Sequence, residues 1–205
     1  MMDLLPVDLT YLQGFGPEQK GRARINGTVT LSDAALRDLG IELPKGAVSG
    51  EGPAAIDIAL TKDRAPQLTL TSTLAGLGLR LDALGWSKPA KVRGSLDLEA
   101  RLTRTPVVER LALSAPGLEA EGQITTQDGG GLDEARFSRV TAGDWLDAPV
   151  TLTGNGKGRA LGVAVKGGTI DLRAMPDGGS EGGGAVSLAL DRLVVSSGIA
   201  MTDFR

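Results

Sequence analysis

The stretch between residues 67 and 102 constrains the fold more than any other part of the chain. Its two halves read QLTLTSTLAGLGLRL and AKVRGSLDLEARL, with leucines at every second position, as at Leu68 and Leu70 or Leu96 and Leu98. Successive side chains of a β-strand point to opposite faces, so the alternation predicts strands with one apolar and one polar face. The pattern recurs over most of the chain, which predicts one long, one-sided β-sheet.

Short alternating runs follow one another over residues 54–205, which we take as the main sheet. Turn residues separate them, as at Pro116–Gly117 and Gly167–Gly168. We predict roughly ten to twelve strands, and connections this short leave no room for crossover helices and join antiparallel neighbours. The fold class is therefore mainly all-β, with a large, highly twisted antiparallel sheet.

One short α-helix is predicted near residues 32–39. Ser32 can cap the free N–H groups of its first turn, and Leu31 and Leu36 occupy the positions of a hydrophobic staple. Gly40 suits the left-handed residue that follows a helix. We expect this helix to cover an exposed edge of the sheet, with a gating role as the alternative.

The chain has 205 residues, which suits one domain or a part of a larger protein. We treat residues 1–205 as a single segment of β-sheet. Residues 1–28 are an uncertain N-terminal part, although residues 21–31, GRARINGTVTL, already alternate like a strand.

Composition argues against several classes of function. The net charge is −3 and no run of Lys or Arg is present, so nucleic acid is not an expected partner. The chain has no histidine and no cysteine, which removes the commonest general base and the thiolate metal ligands. No nucleophile motif or carboxylate pair stands out. We expect no enzymatic activity, no catalytic residue, no metal and no cofactor.

Several phrases resemble the AsmA-like, YhdP-type envelope proteins of Gram-negative bacteria. These phrases are LSDAALRDLGIELPKGAVSGEGPAAIDIAL, LTLTSTLAGLGLRLDALGWSKPA, LALSAPGLEAEGQI, ARFSRVTAGDWLDAPVTL, KGGTIDLR and GIAMTDFR. The resemblance runs over most of Val29–Arg205 and rests on ordered phrases, since no catalytic motif is involved. Proteins of this family resemble the repeating β-groove, bridge-like lipid transfer proteins.

The resemblance implies a U-shaped antiparallel groove in the periplasm that carries phospholipid from the inner toward the outer membrane. It also implies an inner-membrane anchor, which would lie outside this segment, and neighbouring β-groove segments of the same chain as partners. The chain is far shorter than the family and has no window of 18 apolar residues that would span a bilayer as a helix. We therefore expect an internal segment of such a protein.

A trough of leucine and valine is physically suited to lipid transfer. Each methylene of an acyl chain costs about 0.8 kcal/mol to expose to water, so an apolar wall removes most of the barrier to transit. The side chains expected to line the groove are the apolar members of the alternating runs: Leu68, Leu70, Leu79, Leu96, Leu98, Leu102, Leu111, Leu113, Val163, Val165, Ile170, Leu172, Leu188 and Leu190.

The alternative is a structural β-sandwich, a scaffold or protein-interaction domain of a cell-envelope protein, because alternating leucines commonly face a closed core. A groove would leave an open apolar channel, whereas a sandwich would interdigitate its side chains. In either fold we expect Asp57, Asp97 and Glu99 on the solvated face. We expect Trp86 and Trp145 to be packing residues at strand ends.

Overall fold

The computed structural model describes most of the chain. The described residues are 7–13, 21–38, 43–44, 46–128, 130–156, 159–176 and 184–205. Gly40, which we expect to follow the helix, lies outside the described residues, and so does most of the glycine-rich loop near residue 180.

The described residues contain fifteen strands and one short α-helix, α1, at Asp33–Asp38. The strands are β1 Val7–Gln13, β2 Arg22–Ser32, β3 Val48–Thr61, β4 Gln67–Ser72, β5 Leu77–Leu81, β6 Trp86–Lys88, β7 Ser95–Arg101, β8 Val107–Ala115, β9 Leu118–Thr126, β10 Leu132–Ala142, β11 Leu146–Thr153, β12 Gly162–Lys166, β13 Thr169–Asp171, β14 Val186–Ser196 and β15 Ile199–Phe204.

All of these strands belong to one hydrogen-bonded sheet. Its order is β1-β2-β3-β4-β7-β8-β9-β10-β11-β12-β14, with β13 beside β14 and β11, β15 beside β14, and β5–β6 attached to β3. The all-β prediction is confirmed, and the described part of the chain forms one connected sheet, with no separate second sheet. The sheet begins earlier than residue 54, because β1 and β2 pair in register from Val7↔Val29 to Gln13↔Ala23.

The sheet is mixed, which corrects the expectation that it is antiparallel throughout. Strand β14 runs parallel to β12 and to β13. The predicted tight turn at Gly167–Gly168 is also wrong. Strands β12 and β13 keep the same neighbours, β11 on one side and β14 on the other, so they are two pieces of one strand that bends at the two glycines.

Strand β14 bulges beside this bend. The backbone N–H groups of Asp191 and Arg192 both donate to the carbonyl oxygen of Gly168, each at 3.1 Å, and Gly168 N donates to Asp191 Oδ2 at 2.7 Å. Two consecutive residues of β14 thus face one residue of the neighbouring strand, which is a β-bulge. The extra residue shifts the alternation, so the residues after it occupy the other face. As a result Leu193, opposite Ile170, returns to the buried face.

Helix α1 begins where the sequence predicts. Ser32 Oγ accepts a hydrogen bond from Ala35 N at 3.2 Å, which satisfies one of the free donors of the first turn. Leu36 packs against the cluster that contains Leu31, as a hydrophobic staple requires. Ala35 is 2% exposed, so the helix is docked on the sheet.

The segment Leu77–Lys88, which we call the flap, consists of β5, a short 3-10 turn at Asp82–Leu84 and β6. Its β5 pairs with Val48–Gly50 of β3. Its tip reaches the loop after β13, where a Cβ placed on Gly85 would lie 2.3 Å from Pro176 Cγ. The flap therefore extends from β3 to the far part of the sheet.

This contact shows that the sheet curls. In a flat sheet β3 and β13 would lie about 34 Å apart, at about 4.8 Å for each step between strands. The chain from Leu79, which pairs with Val48 of β3, to Gly85 can reach only about 20 Å. The residues between β13 and Pro176 close part of this gap, and curling of the sheet closes the rest: Trp86 of the flap packs in one cluster with residues of β9, β11 and β13, namely Leu118, Leu146 and Ile170. The sheet therefore bends toward the flap, and the face that the flap covers is the concave one.

Candidate functional site

Apolar side chains form a continuous row across the concave face. Residues directly opposite each other on paired strands share a face, so the register defines the row. The central row passes from β3 to β14 through Ile56, Leu70, Leu98, Leu111, Gly122, Phe137, Val150, Val165 and Leu188. Except for Val165, which is buried, the side chains of this row are partly exposed.

Two further rows flank the central row on the same face. The outer row contains Ile25, Ile58, Leu68, Ala100, Val108, Ile124, Ala135, Leu152, Val163 and Val186. The inner row contains Val29, Ala54, Ser72, Leu96, Leu113, Ala120, Val140 and Ala148. Its only polar member is Ser72, whose hydroxyl donates to Pro53 O at 2.8 Å. No row member carries a charge.

The opposite face of the sheet is polar, as predicted for Asp57, Asp97 and Glu99. A cross-strand series on that face runs through Asp57, Thr69, Glu99 and Arg110. Ion pairs lie there, such as Arg24 Nε with Asp57 Oδ2 at 2.6 Å and Arg139 Nε with Asp147 Oδ1 at 2.9 Å. Arg139 holds the pKa of Asp147 below its usual value. These pairs are exposed and contribute little to stability.

The two edges of the rows differ in burial. We call the edge beyond the inner row the capped edge, because the flap and α1 lie there. Its core includes Trp86, Leu118, Trp145 and Leu146, all at most 9% exposed. Both tryptophans are thus packed in the core, and Trp86 Nε1 donates to Pro116 O at 2.9 Å. The edge beyond the outer row, which we call the open edge, has no such cover among the described residues.

A buried cation holds the flap in place at the capped edge. Lys88 is 3% exposed, and its Nζ donates to Leu77 O at 2.6 Å, to Leu74 O at 2.8 Å and to Pro89 O at 3.4 Å. No carboxylate of the described residues forms an ion pair with it. Burial lowers the pKa of the Lys88 ammonium below its usual value.

Most residues expected to line a groove lie in the rows. Leu70, Leu98, Leu111, Val165 and Leu188 lie in the central row, Leu68 and Val163 in the outer row, and Leu96 and Leu113 in the inner row.

The remaining five lie elsewhere. Ile170 and Leu190 are inside the closed core at the capped edge. Leu79 belongs to the flap and packs against both core clusters, so it covers the concave face and does not line it. Leu102 follows β7 at the open edge, and Leu172 is 43% exposed in the turn after β13.

Sequence reasoning missed several members of the site. Ile56 and Phe137 complete the central row, and Ile25 and Ile58 belong to the outer row. The signal for Ile25, Ile56 and Ile58 was present, because they alternate with polar residues as the leucines do. Phe137 is hidden by a bulge, since the register shifts between Phe137 and Val140.

The site offers no obvious reactive chemistry. The described residues hold no group of three His, Cys, Asp or Glu that could bind a metal ion. In the same part of the chain, no helix has the length and apolarity needed to cross a membrane.

The fold and site define an all-β protein whose single curled sheet carries a concave, uncharged and partly exposed apolar face. Comparison with known proteins finds no matching family model, no matching curated protein and no matching solved structure.

Proposed function

We propose that the chain binds the acyl chains of phospholipids on its concave face, as a segment of a conduit that carries lipid along an apolar β-groove. The central row carries this proposal. It passes from β3 to β14 without a charged side chain, and its large apolar members other than Val165 remain partly exposed. A domain normally buries such a surface, so a partly exposed apolar strip of this length indicates a binding site.

The orientation of the rows suits a sliding chain. They run across the strands, so a methylene chain can pass from one strand to the next over Leu70, Leu98 and Leu111 without meeting a fixed charge. In keeping with the envelope-protein resemblance, we propose that the protein acts in the periplasm between inner and outer membranes. Similar segments would extend the groove, and a membrane anchor would lie outside this segment.

Native mass spectrometry of the delipidated protein with added phospholipid tests the proposal. Two variants place the same charge on adjacent residues of β14 that face opposite sides. Leu188→Asp lies in the central row, whereas Ser187→Asp lies on the polar face opposite Ala164. We expect lipid-bound species for the wild type and for Ser187→Asp, and loss of most of the bound lipid for Leu188→Asp. A wild-type protein that remains lipid-free, or equal binding by the two variants, would contradict the proposal.

A second candidate function is a structural or protein-interaction scaffold. The closed core around Trp86, Leu118 and Trp145 favours it, because packing of that kind stabilises a domain without any ligand. Absence of lipid binding by the wild type, together with a cooperative unfolding transition, would support this second candidate.

A further inference from the structure

A cavity of about 300 Å³ opens at the open edge, where β2 begins and β3 ends. It is lined by Gly21, Arg22, Ala23, Leu60, Thr61, Lys62 and Arg64. Three of these side chains are cationic and none is acidic. The Asp63 carboxylate is exposed and does not belong to the lining. The cavity is therefore a basic site at the margin of the apolar rows.

The backbone holds these side chains in a defined arrangement. Arg22 lies opposite Thr61 and Ala23 opposite Leu60 in the β2–β3 ladder. Lys62 N donates to Gly21 O at 2.7 Å, and Arg64 N donates to Thr61 O at 3.1 Å. Arg22 and Thr61 share the polar face of the ladder, whereas Ala23, Leu60 and Lys62 share the face of the rows, and the turn places Arg64 beside the cavity. Lys62 and Arg64 are therefore the cations that a ligand on the rows can reach.

The cavity continues the concave face. Leu60 comes two residues after Ile58 of the outer row and shares its face, and Lys62 follows at the next step of two. Gly21 has a φ of +82°, and a Cβ there would lie 2.8 Å from Lys62 Cβ. Glycine at this position thus leaves room for the Lys62 stem to extend beyond the end of the row.

Among the described residues, no carboxylate forms an ion pair with Arg22, Lys62 or Arg64. The carboxylate of Asp57 on β3 is already paired with Arg24. An anion that enters the cavity would therefore meet cationic donors without competition from a carboxylate of the described residues.

We propose that this cavity binds the phosphate headgroup of an anionic phospholipid whose acyl chains lie on the rows, which deepens the function proposed above and rests on it. Arginine can form paired hydrogen bonds with phosphate oxygens, and lysine adds a compact positive charge. Apolar Ala23 and Leu60 receive the start of the acyl chains. The headgroup stays at the open edge while the chains contact Ile58 and Ile25.

Binding measured by titration calorimetry tests the site with three probes: dihexanoylphosphatidylglycerol below its micelle concentration, uncharged octyl glucoside, and inorganic phosphate. The variant Lys62→Gln/Arg64→Gln removes two cations of the cavity. Arg93→Gln is the control, because it removes an exposed cation that precedes β7 near the capped edge. Thermal melts of all variants check that each of them folds.

We expect the double variant to bind the anionic lipid about tenfold more weakly, with octyl glucoside binding unchanged, and Arg93→Gln to behave as wild type. Inorganic phosphate should compete with the anionic lipid at millimolar concentration. Equal affinity of the double variant and the wild type for the anionic lipid would overturn the site while leaving lipid binding by the rows intact. Phosphate binding without binding of either amphiphile would overturn both the assignment of the cavity as a lipid headgroup site and the proposed function.

Discussion

The ammonium group of Lys88 donates a hydrogen bond to the backbone carbonyl of Leu74 at a distance of 2.8 Å, inside the capped edge. Leu74 is 2% exposed and has a φ of +53°, a left-handed conformation that is uncommon for a leucine. Ser72 Oγ accepts a hydrogen bond from Leu74 N at 3.1 Å. The strained turn after β4 is thus fixed from one side by Ser72 and from the other by Lys88.

Replacement of Lys88 by methionine tests this arrangement. Methionine keeps most of the stem but removes the donor to the Leu74 and Leu77 carbonyls, which then remain buried without that partner. We expect the free energy of unfolding to fall by about 1–3 kcal/mol. Urea denaturation measures the change. The control is Lys91→Met at an exposed position, which should change stability by less than about 0.5 kcal/mol. Equal stability of the two variants would show that the carbonyls do not depend on Lys88.

Gly85→Ala tests the contact between the flap and the loop after β13. The new Cβ would lie 2.3 Å from Pro176 Cγ, so the tip of the flap must move. We expect a loss of about 1–3 kcal/mol in unfolding free energy, with a change in the fluorescence of the adjacent Trp86. Gly130→Ala is the matched control, because Gly130 has a φ of +97° and nothing within 4 Å of the added Cβ. If both variants lose the same stability, backbone strain alone explains the effect and the flap contact is weak.

Leu98→Asp tests whether the central row is open to water. Leu98 is partly exposed, so solvent can reach the new carboxylate, and we expect a folded variant that is about 1–3 kcal/mol less stable. Its binding of phospholipid should be largely lost, since acyl chains would have to cross a hydrated charge. A thermal melt combined with a lipid-binding measurement checks both expectations.

Asp97→Leu is the control for this change, because Asp97 is exposed on the polar face opposite Thr71 and Ala112. It should retain both stability and lipid binding. Complete unfolding of Leu98→Asp would indicate a closed core at this position. A folded Leu98→Asp variant that binds lipid normally would show that the row does not contact the acyl chains.

The carboxylate of Asp171 provides a pH-dependent contribution to stability. Hydrogen bonds from Arg173 lower its pKa from 3.8 to about 2. A pKa that is lowered on folding means that the native state binds fewer protons, so the stabilisation is complete above 3.8 and is lost as the pH falls through about 2. The stability difference between wild type and Asp171→Asn should therefore disappear in acid.

An NMR titration of the Asp171 carboxyl group measures this pKa directly. Arg173→Gln removes the donors at 2.9 Å and 2.5 Å and should raise the midpoint toward the ordinary value. A wild-type midpoint near that of an unperturbed aspartate would contradict the assigned contact.

The alternating leucines made one part of the site predictable. Leu70 and Leu98 lie opposite each other in one row, and each alternates with polar residues along its strand. This alternation can be read from the neighbouring residues alone. Leu172 lies two residues after Ile170 and continues the same alternation, yet it lies in a turn, because β13 ends at Asp171. The pattern therefore predicted the face only while the strand continued.

The cation at the capped edge could not be predicted in this way. Lys88 comes two residues after Trp86, near the end of an apolar run, and a lysine at such a position is ordinarily exposed. Its burial depends on the carbonyls of Leu74 and Leu77, which turn toward it only after the flap has folded back on β3.

By itself, the sequence determined that the chain is mainly β, where α1 begins, and which side chains share a face wherever a strand is regular. These are local properties, since alternation and helix capping depend on residues only a few positions apart. The tertiary structure alone decided that β14 runs parallel to β12 and that the flap reaches Pro176. It also decided that the capped edge is closed while the central row stays partly exposed. Those features depend on contacts between residues distant in sequence, which no local pattern encodes.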